Sequence, residues 1–172
     1  MNPARVTLPS EPISLRESTP PGIFSGLIGG VMMAAVAVFF ALLQGNPWRP
    51  MKLVAATILG EEALAGPGFQ FGPVFAGLLI HLIMSVAWGV FFVWLGGYLN
   101  YGAAMAWGVI FSLSIWVIMQ FGILPVINPW LAAAPPIPFA LAHIAFGLSL
   151  GAYPRFLKEA VVEIPAVRRK AA

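Results

Sequence analysis

Apolar residues in this chain fall into four long runs, at about 23–43, 74–95, 103–124 and 137–153, separated by short polar or Pro/Gly-rich breaks. From Ala63 to Tyr153 there is no Asp, Glu, Lys or Arg. Water cannot solvate such a surface, and about 20 apolar residues suffice to cross a bilayer as a helix. Each run therefore reads as a transmembrane span. The first break contains a shorter stretch, about 50–65, with Met51, Val54, Ala55, Ile58 and Leu59 at helical spacing and charges at both ends. That pattern predicts a helix lying in the membrane interface. Glu61 and Glu62 point apart on such a helix and read as its solvated end rather than as a metal or proton site. Residues 1–21 hold five prolines and predict an extended tail. Pro125 opens PVINPWLAAAPPIP, where prolines argue against regular helix.

Within the spans, small residues recur every fourth position. Gly22, Gly26, Gly30 and Ala34 form one stripe, and Ser85, Gly89, Gly147 and Gly151 mark the second and fourth spans. Lipid offers no hydrophobic drive for helices to associate, so such stripes are expected packing faces where backbones approach closely. Trp48 and Trp130 fall at span ends, the expected place of interfacial anchors.

The order of span, Asn-Pro-Trp, histidine-bearing span occurs twice. The tripeptide stands at 46–48 and 128–130, and placing His81 over His143 aligns Leu79 with Leu141 and Gly89 with Gly151. This predicts an all-α integral membrane protein of four transmembrane helices in two tandem hairpins. The hairpins are parallel repeats, with an interfacial helix inserted in the first loop. His81 and His143 would then lie at matched depth, roughly 11 Å below the surface at 1.5 Å per residue. Two imidazoles on separate helices at one depth are candidate axial ligands of a b-type haem. Gly77 and Gly147 would leave room for the macrocycle, and Trp88, Phe92, Phe139 and Phe146 would wall it. The alternative is a structural polar core in which each histidine hydrogen-bonds across the bundle, to Ser85, Ser112, Ser114 or Ser149. Either way the second span is expected at the bundle centre, packed against the fourth.

Composition sharpens the class. Hydrophobic residues make up 60% of the chain and charged ones 9%, against roughly a quarter in soluble domains. The net charge is +3, but five of the nine basic residues follow Pro154, which reads as topology control rather than nucleic-acid binding. With four spans the rule places both termini in the cytoplasm, in a bacterial inner membrane. The first apolar run is too long, and its flank too Pro-rich, for a cleaved signal. No cysteine is present, and no nucleophile with an acid–base set or phosphate loop is apparent.

The segment GLLIHLIMSVAWGVFF, with Ala76, Gly77, His81, Ser85, Gly89 and Phe92, resembles the YagU-type group of small bacterial inner-membrane proteins. The resemblance extends over about 22–153 and implies a membrane protein without assigned catalytic residues. The expected function is a non-enzymatic accessory or scaffolding subunit of a larger membrane complex, of respiratory or photosynthetic electron transfer. The alternatives are a haem-bearing electron-transfer subunit using His81 and His143, and a small transporter acting as an oligomer.

Overall fold

A computed structural model describes residues 13–157; the N-terminal tail to residue 12 and most of the basic tail, from residue 158, lie outside the described residues. The described chain is helical. In order come α1 (Leu15–Leu43), α2 (Arg49–Leu59) running into a 3-10 turn (Gly60–Leu64), α3 (Phe71–Gly96) and α4 (Tyr101–Val117). A π turn (Ile118–Ile123) leads on to α5 (Leu124–Ile127), α6 (Pro129–Ala132) and α7 (Pro136–Gly151). Four helical stretches are long and apolar enough to cross a membrane: Leu15–Leu43, Phe71–Gly96, Tyr101–Ile127 and Pro136–Leu157. This is an all-α integral membrane protein.

Three boundaries differ from the sequence expectation. The first helix begins at Leu15, not near Ile23. Ser14 caps it reciprocally with Glu17, the hydroxyl accepting from the Glu17 amide at 3.3 Å while the Glu17 carboxylate accepts from the Ser14 amide at 3.0 Å. That start is strong enough to carry the helix through Pro20 and Pro21. The third span continues through Pro125 to Ile127 instead of breaking there. A wide turn precedes the proline, with the Leu124 amide bonding back to Met119. Pro125, Pro129 and Pro136 each occupy a first-turn position, where no amide donor is needed. The fourth span, expected at 16 to 18 residues, reaches 22.

Side-chain size decides the bundle's order. On α1, Gly22, Gly26 and Gly30 face α3, and a Cβ on Gly26 would stand 2.5 Å from the Ser85 carbonyl oxygen. Gly89 reciprocates against Gly22 and Gly26. Gly29 opens a second face of α1 to Phe146 of α7. Gly108 of α4 meets Gly147 and Gly151 of α7 in the same backbone-to-backbone manner. Helices α1–α3, α1–α7 and α7–α4 are therefore close pairs. The remaining side, between α3 and α4, is spaced by aromatics: Phe111 lies 5.1 Å from Phe92 and 6.0 Å from Trp88, centroid to centroid. The second span is thus not the centre, and it does not pack on the fourth. It sits diagonally from α7, with α1 making the contacts expected of it, because the second glycine face of α1 (Gly29) meets α7 whereas the second glycine contact of α3 (Gly77) meets α2.

Tyr153 closes the end of the bundle away from the Asn-Pro-Trp loops. Fully buried, it donates to the Gly97 carbonyl at 2.6 Å and accepts from the Leu99 amide at 3.3 Å. It thereby fastens the short α3–α4 connection to α7.

Candidate functional site

At the Asn-Pro-Trp end, α2 is pressed against α3 rather than merely resting in the interface. The Met51 carbonyl occupies the space that a side chain on residue 77 would need, so Gly77 is what admits α2. Lys52 is buried beside it and donates to the Gly66 carbonyl at 2.9 Å, pinning the following loop. Across from it, fully buried Asn128 donates at 2.8 Å to both the Leu53 carbonyl and Thr57 Oγ1, while its own carbonyl caps α6 at the Leu131 amide. Trp130, expected as a free anchor, is half-buried against the small residues Ala55, Ala56 and Ala63. Trp48 stays exposed and stacks edge-on to Phe69 at 4.8 Å.

Gln120, buried in the π turn, accepts from Trp116 Nε1 at 2.5 Å and donates to the carbonyls of Ala132 and Ala134 at 3.1 and 2.8 Å. The wide turn is what swings this side chain inward, a use to which π turns are often put. Neither Gln120 nor the grip of Asn128 is foreseen from sequence. The available signal is simply a full-sized amide inside an apolar run, which must find partners when buried.

These ties leave a cleft of about 110 Å³ between α1, α2, α7 and the 131–135 return. Along α1 it extends from Gln44 to Met33, roughly 16 Å at 1.5 Å per residue. Ala37 and Phe40 of α1, Val54 of α2, and Phe139 and Ala142 of α7 line it. Arg49 and Gln44 stand at its outer end and His81 on the α3 wall. Ala34, expected to continue the stripe against α3, lines this cleft instead.

His81 and His143 are held differently. His81 Nε2 lies 2.9 Å from the Gly30 carbonyl of α1. A carbonyl can only accept, so this nitrogen carries the proton. His143, buried, uses Nδ1 on the Phe139 carbonyl of its own helix, also at 2.9 Å. The serines complete the set: Ser85 donates to the His81 carbonyl at 2.7 Å, and Ser112 reaches from α4 to the His143 carbonyl at 2.6 Å. Ser114 and Ser149, the other candidate partners, bond carbonyls on their own helices, Ile110 and Ala145.

The arrangement does not frame a macrocycle between the imidazoles. His143 is not on the cleft wall, and the space beside Gly77 and Gly147 is filled by backbone from α2 and α4. Phe92 and Trp88 belong to the α3–α4 aromatic side, and Phe146 covers Gly29; of the four expected wall residues only Phe139 lines the cleft. The cleft is also smaller than the several hundred Å³ typical of sites enclosing even a drug-sized ligand.

Fold and site together define a four-span helical membrane protein with internally tied polar groups and an apolar cleft. The chain belongs to a family of unknown function, DUF6789, whose model matches residues 17–162. That match does not bear on the resemblance to the YagU-type group. No curated protein and no solved structure matches the chain.

Proposed function

We propose that the protein is a non-enzymatic accessory subunit of a larger membrane assembly, acting as a rigid prop. The observation that carries this reading is how its buried polar side chains are used. Ser112, Gln120, Asn128, Tyr153 and His81 each bond a backbone carbonyl on another element of this chain. Such ties stiffen a bundle without preparing a reaction. The two hairpins, each closed by facing glycines and each with Asn-Pro-Trp between its two spans, are read as tandem copies. The basic C-terminal tail favours a bacterial inner membrane with both termini cytoplasmic.

Affinity purification in mild detergent tests the assembly. The expected result is a stoichiometric complex with other membrane subunits on a native gel. Recovery of this chain alone, with turnover or solute flux of its own in liposomes, overturns the proposal. Orientation is tested separately: the chain has no cysteine, so Gly68→Cys provides a unique thiol in the α2–α3 loop. An impermeant maleimide should label it from outside the cell. Labelling only after the cytoplasmic side is opened would reverse the topology.

A further inference from the structure

Charge is unevenly shared between the two ends of the bundle. Residues 1–17 and 155–172 hold seven of the nine basic residues and four of the six acidic ones, and the stretch between α1 and α3 holds the other two of each. The net charge of +3 therefore belongs to the segments at and beyond the start of α1 and the end of α7. Ile13, Tyr153 and Leu157 share one buried cluster, which brings those two helix ends together. Two arginines of this end are described, and both are exposed. Arg16 lies in the first turn of α1. Arg155 is placed more closely: its guanidinium carbon stands 4.8 Å from the centre of the Tyr101 ring at the start of α4. The next residue, Phe156, stacks on Phe24 at 6.0 Å. Arg155 is thus level with the start of the apolar run of α1, at the boundary of the hydrocarbon core, where headgroups lie. The carboxylates among the described residues are spent or distant. Glu17 is held by the amide and hydroxyl of Ser14 at 3.0 and 2.7 Å, and Glu61 and Glu62 follow α2 at the opposite end.

We propose that this end of the bundle binds an anionic phospholipid by its phosphodiester headgroup, with Arg155, steadied by Tyr101, as the specific contact. The guanidinium suits that group because its planar fork matches two phosphate oxygens, and an aromatic ring beside it holds the cation without consuming its N–H donors. Depth selects a lipid over a free anion, since Arg155 and half-exposed Tyr101 stand at headgroup level with apolar helix surface beneath them. Charge selects an anionic lipid over a zwitterionic one: each basic residue near such a surface strengthens binding about fivefold. The opposite end, with two basic and two acidic residues, has no such bias.

The test is native mass spectrometry of the full-length protein in an uncharged detergent, titrated with phosphatidylglycerol or with phosphatidylcholine of identical acyl chains. Phosphatidylglycerol should bind about tenfold more tightly, the size expected for a hydrogen-bonded charge partner. Arg155→Gln should remove most of that preference, and Arg155→Lys, which keeps the charge but loses the fork, should retain part of it. Tyr101→Leu should weaken phosphatidylglycerol binding about threefold by releasing the guanidinium. Arg49→Gln, at the opposite end, should change nothing. Arg155 and Arg49 are both exposed, so neither substitution opens the core. Equal binding of the two lipids by the unaltered protein would overturn the proposal. So would a full preference surviving in Arg155→Gln, or one lost as completely in Arg49→Gln. Displacement of phosphatidylglycerol by inorganic phosphate would make this a site for the free anion and overturn the lipid assignment.

Discussion

The two hairpins solve one problem with the same parts differently assigned. In the first, α1 and α3 close on Gly22, Gly26, Gly30 and Gly89; in the second, α4 and α7 close on Gly108, Gly147 and Gly151. At histidine level each hairpin has one bond crossing between helices and one staying local. In the first, His81 crosses to Gly30 while Ser85 bonds its own helix. In the second, Ser112 crosses and His143 bonds its own helix. The hairpin requires a tie at this depth, and an imidazole or a hydroxyl supplies it equally well. The histidines are therefore equivalent in sequence and unequal in structure. The Asn-Pro-Trp turns diverge likewise. Asn128 grips α2, the element inserted in the first hairpin, whereas buried Asn46 Oδ1 has no donor among the described residues.

The strongest way to break the comparison is to wedge each glycine seam. Gly89→Leu and Gly147→Leu both drive a side chain into a facing backbone that has no slack. Each should cost about 3 kcal/mol, the upper range for overpacking, read as a lowered midpoint in denaturant titration of the reconstituted protein. A hairpin whose variant unfolds at the wild-type midpoint is not held by its glycines, and the likeness of the two halves fails there.

Next in size is the contrast between the turns. Asn128→Leu removes donors to Leu53 and Thr57 and the cap of α6, and should cost about 2 kcal/mol, since it undoes three hydrogen bonds of one fully buried side chain. Asn46→Leu should be neutral or mildly stabilising, because it replaces an acceptor that has no partner. Equal losses in the two variants would mean that Asn46 is tied after all and that the turns still share one role.

Much of the fold is legible from hydropathy alone, because lipid imposes length and forbids charge on every span. The glycine faces at 22, 26, 30, 89, 147 and 151 are legible for the same reason: close packing demands small residues at helical spacing. What periodicity does not carry is which helix a face meets. Gly29, one position off the main stripe, decides that α1 and not α3 packs on α7. The cleft is equally hidden, since it depends on α2 standing against Gly77 and on the Gln120 turn bringing residues 131–135 back over α1. His81 and His143 look like a pair because their sequence contexts match. Their ring nitrogens are assigned by carbonyls on different elements, which no alignment of the two halves contains.

The smallest effects sharpen the comparison most. Cross-helix hydrogen bonds in membranes are worth about 0.6 kcal/mol on average, because the separated helices find other partners. Ser112→Ala and His81→Leu each remove a crossing bond and should each lose about that much. Ser85→Ala and His143→Leu remove only bonds to the preceding turn of the same helix. The Ser85 bond is of a type that slightly disfavours straight helix, so its loss should be near zero or faintly stabilising. The expected pattern across the four variants is therefore crossed, with serine sensitive in one hairpin and histidine in the other. Steric trapping or denaturant titration with replicate precision of a few tenths of a kcal/mol resolves it. A pattern in which both histidines matter and neither serine does would restore the histidines as a matched functional pair.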